Sequence, residues 1–117
     1  MRHKRGNKKL GKPTDQRLAL LRSLSLSLII NQKIKTTHTR AISAKRYVER
    51  LVTLAKAGTL HSRRQALKML PNKIAVKKLF NEYATKYKTR PGGYTRVIKI
   101  AQRQGDSANV SLLEFVE

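Results

Sequence analysis

Across 117 residues, 27 Lys and Arg stand against 6 Asp and Glu, a formal charge of +21, with 39% apolar residues and no cysteine. That length suits one compact domain able to bury roughly two-thirds of the surface its unfolded chain exposes. The missing cysteines exclude disulfides, thiolate metal sites and cysteine nucleophiles, and self-repulsion at this charge calls for a polyanionic counterpart.

Residues 1–12 hold six Lys or Arg with no periodic apolar face, so they read as a basic extended arm preceding a single domain over 13–117. The start lacks the apolar segment of a secretory leader and is read as part of the mature protein. Pro13 with Thr14 or Asp15 can open a helix over 14–31 whose Leu18, Leu21, Leu24 or Ser25, and Leu28 share one stripe. The run Ser23 to Leu28 also alternates with period two, as a half-buried strand would; the segment's length and the helix formers that open it favour helix. The longest uncharged run, Ser23 to Gln32, is ten residues against the roughly twenty of a membrane span, so the chain is expected to be soluble.

A short strand is expected over 33–37, where Ile34, Thr36 and Thr37 are β-branched. Ala41, Ala44, Val48, Leu51 and Ala55 recur at three- and four-residue steps opposite Arg40, Ser43, Arg46 and Arg50, the pattern of an amphipathic helix over 38–57 that Gly58 can end. Thr59 can cap a helix over 60–70, stopped by Pro71. Asn72 can cap another with Val76, Leu79, Phe80 and Tyr83 on its apolar face. After the break at Arg90-Pro91-Gly92-Gly93, residues 94–101 and 109–116 read as a hairpin of strands. The order α-β-α-α-α-β-β predicts a two-layer α+β fold, helices on one face of a small mixed or antiparallel three-stranded sheet.

Most local motifs lack the context their chemistry needs. Gly6 to Lys12 has the spacing of a phosphate-binding loop, but no strand precedes it and Pro13 stands where the magnesium-binding hydroxyl belongs. His3, His38 and His61 lack metal-ligand spacing; a basic ribonuclease using His61 or His38 is the enzyme reading they leave, and phosphate contact or solvated surface is favoured over it. Glu49 and Glu82 lie one turn after Lys45 and Lys78 and are expected to pair with them. Asn109-Val110-Ser111 is a chance glycosylation match. Lys77-Lys78 alone reads as solvated surface.

The 27 cations together require another account, and phosphate neutralisation with counterion release supplies it. Residues 1–103 hold all of them against three acids, a net +24, whereas 104–117 have three acids and no base, so the last strand is expected to face away from the polyanion. No zinc-finger, helix-turn-helix or aromatic RNA-stacking signature is present, and the composition fits either a folded RNA or, as the alternative, an architectural DNA-binding role.

Ordered blocks decide between these. Met1-Arg2-His3 with Lys9-Leu10-Gly11-Lys12, Ile34-Lys35-Thr36-Thr37, Leu54-Ala55-Lys56 with Leu60-His61-Ser62-Arg63-Arg64, Gly92-Gly93-Tyr94-Thr95-Arg96-Val97, and Gly105-Asp106 with Leu113-Glu114-Phe115-Val116 run in one sequence. In these the chain resembles the bacterial-type large-subunit ribosomal protein seventeen family, over essentially its whole length. Pro13-Thr14-Asp15-Gln16 and Ala41 to Arg46 depart from that family's common wording. The resemblance implies an α/β rRNA-binding domain near the outer side of the peptide exit tunnel. It further implies a non-catalytic structural role, with large-subunit rRNA and neighbouring large-subunit proteins as partners. No cofactor, metal, membrane or small-molecule substrate is implied, and the location would be the cytoplasmic ribosome or that of an organelle with bacterial-type ribosomes. Matching blocks carry over Arg2, His3, Lys9, Lys12, His61, Arg63, Arg64, Tyr94 and Arg96 as RNA-facing. Charge and helical geometry add Lys4, Arg5, Lys8, Arg17, Arg22, Lys35, Arg40, Arg46 and Arg90.

Overall fold

In the computed structural model, which describes residues 10–117, the first helix, α1, runs Thr14–Asn31. Of the expected arm only 10–12 fall among these residues, and they form a turn with Leu10 and Gly11 at positive φ. The core takes Ser25, Leu28 and Ile29 from α1, while Leu18 stays exposed: the expected stripe begins a turn and a half late, because the first turns project beyond the core. Gln32 adopts a left-handed conformation and returns its N–H to the Leu28 carbonyl, reversing the chain into β1 (Lys33–Thr37).

The central element is α2 (His38–Ala57), ended by Gly58 at φ 69°. Its Ala41, Ala44, Val48, Leu51, Val52 and Ala55 are buried, and the small alanines let neighbouring elements approach closely. Thr59 caps α3 (Leu60–Met69) by accepting the Ser62 N–H at 3.0 Å, and Asn72 caps α4 (Lys73–Lys78) by accepting the Ala75 N–H at 3.0 Å. From there the helix widens into a π-turn (Leu79–Tyr83) before α5 (Ala84–Lys86), a departure from the regular helix the spacing predicts. In a regular α-helix residues four apart drift by about 40°. The wider turn counters that drift and keeps Leu79, Tyr83 and Tyr87 on the buried side.

Strands β2 (Thr95–Gln102) and β3 (Asn109–Phe115) form the expected hairpin, β2 shifted by one residue and β3 ending one residue early. The sheet order is β1-β3-β2 and every pairing is antiparallel, so the last strand is the central one. Ser111, Leu113 and Phe115 face the helices, whereas Val110, Leu112 and Glu114 point the other way, the period-two alternation of a half-covered sheet. Stacked Tyr83 and Phe115 rings, 4.1 Å apart, and the Tyr87–Tyr94 pair at 5.3 Å lock the two layers together. The α+β order α-β-α-α-α-β-β is therefore the observed one, with the fourth of the expected helices interrupted by the π-turn.

Candidate nucleic-acid interface

The exposed side of α2 is bordered by three adjoining clefts. One, of about 410 Å³ between α1 and α2, is lined by Arg17, Leu21, Ser43, Arg46, Tyr47 and Arg50. A second, of about 510 Å³, runs between α2 and β2 past His38, Lys45 and Arg46. The third, of about 670 Å³ between α2 and α3, holds Arg50, Gln65 and Lys68 beside Leu54 and Met69. Arg46 belongs to the first two, Arg50 to the first and third, and Glu49 to the second and third, so the clefts share walls along α2 and together form its furrow.

Its electrostatics are one-sided. Among the described residues Glu49 is the single carboxylate along the furrow, and it is committed elsewhere: its Oε1 accepts the Thr95 N–H at 3.1 Å and hydroxyl at 3.0 Å, and its Oε2 accepts the Tyr94 N–H at 3.3 Å. The expected Lys45–Glu49 pair is replaced by this cap on β2. Lys78 likewise donates to the Ile30 carbonyl at 3.2 Å rather than pairing with Glu82. Among the described residues the ion pairs are Arg96–Glu114 and Arg103–Asp106, and neither touches the furrow. The Arg103 hydrogen bond, aided by the Ala108 N–H, holds the Asp106 carboxyl down at about 2. Arg46 and Arg50, one turn apart with like charge, cost their helix a few tenths of a kcal/mol (~0.2–0.5) when no anion lies between them.

A separate cleft of about 480 Å³ between α3 and α4 gathers Arg63, Lys73, Lys77 and Asn81 around Leu67 and Val76. The Arg63 guanidinium stacks 4.6 Å from the Phe80 ring centre, which orients it without neutralising it. Lys77, read from sequence as solvated surface, thus joins Arg63.

The other expected positions divide. Arg2, His3, Lys4, Arg5, Lys8 and Lys9 lie outside the described residues. Lys12 is half-buried at the turn before α1, Arg40 is half-buried on α2, and His61 and Arg64 are exposed on α3. His38 is held by the Ser111 hydroxyl at 2.8 Å. Arg22 is engaged within the fold: its Nε and Nη2 donate to the Met69 and Lys68 carbonyls at 3.1 and 3.2 Å, closing the C-terminus of α3. Arg90 is exposed, with its Nε donating to the Gly92 carbonyl at 3.2 Å. Tyr94 lies in the core. It is 2% exposed, its ring packs on Tyr87, and its hydroxyl accepts from Lys56 at 2.9 Å, so it presents no stacking face. Arg96 is paired with Glu114 at 2.6 Å and, with Lys35, lies on the sheet face away from the helices. Sequence reasoning passed over Arg50, Lys68 and Lys73; the four-residue steps Arg46–Arg50 and Lys73–Lys77 were the available signal.

The ribosomal protein L17 family model matches residues 20–116. The chain belongs to that family. Among relatives, the large ribosomal subunit protein bL17 of Clostridium acetobutylicum is 50% identical over 111 residues, covering 95% of this chain and 97% of its own. The bL17 of Syntrophus aciditrophicus is 45% identical over 116 residues, covering 99% and 93%, and that of Clostridium botulinum is 50% identical over 95% and 98%. L17 membership covers the furrow and the α3–α4 cleft alike, since all but Arg17 of their lining residues lie within the matched span. No helix among the described residues is long and apolar enough to cross a membrane.

Proposed function

We propose that this chain is a structural, non-catalytic constituent of the large ribosomal subunit that grips folded large-subunit rRNA through the α2 furrow and the α3–α4 cleft, with residues 1–12 adding contacts. The observation that carries this reading is the set Arg17, Arg46 and Arg50 in one cleft, while Glu49 beside them is turned to β2. Guanidiniums in a fork geometry suit phosphate oxygens. Register on the RNA then follows from backbone contacts and helix shape, with no base-edge reading required. Neighbouring large-subunit proteins complete its surroundings, and the relatives' names support that placement. Its cellular location is that of the ribosome it enters.

The test combines sedimentation and binding. The protein is expected to travel with large subunits on a gradient and to be released by ribonuclease; release by deoxyribonuclease would favour the architectural DNA alternative. Arg46→Glu with Arg50→Glu should weaken binding to purified large-subunit rRNA and lower the log–log salt slope by roughly 0.7–0.9 for each phosphate no longer neutralised. An unchanged slope would remove the furrow from the interface.

A further inference from the structure

Ser111 stands in the central strand with no solvent exposure, where its inward-facing neighbours Leu113 and Phe115 are apolar. Its hydroxyl meets Nδ1 of His38 at 2.8 Å, and among the described residues that nitrogen is its one hydrogen-bond partner. A buried O–H left without an acceptor is costly, so the hydroxyl donates and Nδ1 accepts. In a neutral imidazole the bond made by one nitrogen fixes the tautomer, which puts the hydrogen on Nε2. The pair adds little to the fold itself, because replacing both partners by apolar groups of like shape is close to neutral. What it adds is direction.

His38 is half-buried and lines the cleft of about 510 Å³ between α2 and β2 with Lys45, Arg46, Glu49, Ile42 and Val97. Its Nδ1 is spent on the sheet, so the polar atom left for the cleft is Nε2. Glu49 gives its oxygens to Tyr94 and Thr95, and among the described residues neither Lys45 nor Arg46 has a carboxylate partner. On the same sheet face the exposed Lys99 stands opposite Ser111 in register. Cations and an N–H donor thus surround one cleft whose carboxylate is otherwise engaged. The complement is an anion with several acceptor oxygens, as a backbone phosphate has.

We propose that Ser111 is a positioning residue that locks His38 as an Nε2–H donor, and that His38, Lys45 and Arg46 together bind one phosphate of the RNA backbone. The imidazolium also carries a hydrogen on Nε2, so the donor persists when the ring changes charge. The inference rests on the rRNA reading for its ligand, and not for the tautomer.

A long-range proton–nitrogen spectrum of the isotope-labelled full chain in mildly alkaline buffer reads the tautomer directly. Native His38 should show a hydrogen-bearing Nε2 and a bare Nδ1, and Ser111→Ala should move toward the mixture of free imidazole. A native ring with its hydrogen on Nδ1, or an unaltered pattern in Ser111→Ala, overturns the lock. Binding to purified large-subunit rRNA in the same buffer reads the phosphate. His38→Phe combined with Ser111→Ala removes both ends of the pair, so the melting temperature should stay near native while affinity falls about tenfold, the scale of a hydrogen bond to a charged group. The log–log salt slope should not change, since no cation is lost, whereas Lys45→Ala should lower it by roughly 0.7–0.9. His38→Gln, whose amide nitrogen reaches the place of Nε2, should retain most of the affinity. Native affinity in the double variant, or equal losses in the double variant and His38→Gln, overturns the phosphate site. If the native chain fails to bind large-subunit rRNA at all, the ribosomal reading has failed, a result distinct from these.

Discussion

Glu49, on the exposed flank of the central helix, closes the start of β2 by accepting both the backbone N–H and the hydroxyl of Thr95 at 3.1 and 3.0 Å. A residue in the middle of α2 therefore sets where the hairpin begins. Thr95 is buried, so removing the carboxylate leaves donors without a partner. Glu49→Ala is expected to cost about 2 kcal/mol, the scale of a charge-assisted hydrogen bond plus an unsatisfied donor. Urea unfolding should show a lower midpoint with an unchanged m-value.

Tyr83 makes the corresponding tie on the other side of the core, donating its hydroxyl to the Ile29 carbonyl at 2.8 Å near the end of α1. That carbonyl belongs to the last turn of the helix, where no intrahelical N–H is left to reach it. Tyr83→Phe should cost about 1 kcal/mol. Burial first, then the nearby Glu82 and Tyr87, pushes the Tyr83 phenol up from 10.0 to about 12. A raised folded-state value means that the unfolded chain releases this proton first. The stability contributed by the neutral phenol is complete below pH 10 and is lost as pH rises toward 12. Alkaline unfolding followed by tyrosinate absorbance should begin later in Tyr83→Phe, relative to its own midpoint at neutral pH; an identical alkaline profile would exclude Tyr83 as the titrating group.

Tyr94, expected from sequence to face RNA, is instead a core residue. Tyr94→Phe should lower stability by about 1 kcal/mol, because the Lys56 ammonium no longer has the hydroxyl to donate to, and leave affinity for large-subunit rRNA unchanged. A tenfold loss of affinity with full stability would return the ring to the interface.

The adjoining glycines separate folding from docking. Gly93 has φ +63° with open space around its Cβ position, so Gly93→Ala should cost about 1–2 kcal/mol from the left-handed backbone alone. Gly92 has neither positive φ nor a neighbour within 4 Å, and Gly92→Ala should leave the unfolding midpoint unchanged. Loss of subunit attachment in a fully stable Gly92→Ala would mark close approach of a partner to that backbone.

Arg63 and Lys77 share the α3–α4 cleft, so Arg63→Glu and Lys77→Glu are expected to weaken rRNA binding to similar extents. Lys78→Glu, whose native ammonium is bound to the Ile30 carbonyl, should act on stability more than on affinity. Filter binding across a salt series, paired with thermal melts, distinguishes the two classes.

By itself the chain determined the order of its helices and strands and its large excess of positive charge. Alternating Ala and Val steps in α2, the hydroxyl and amide caps at Thr59 and Asn72, and Gly58 act over one or two turns, within reach of a local pattern. A charge of +21 needs no geometry at all. Tertiary structure alone decided which cations remain available. Arg22 is taken by α3 carbonyls 46 and 47 residues away, Arg96 by Glu114, and Glu49 by Thr95 rather than by Lys45 one turn back. The π-turn and the central position of β3 belong to the same category. Each follows from long-range packing, where the strongest available partner wins over the nearest one in sequence.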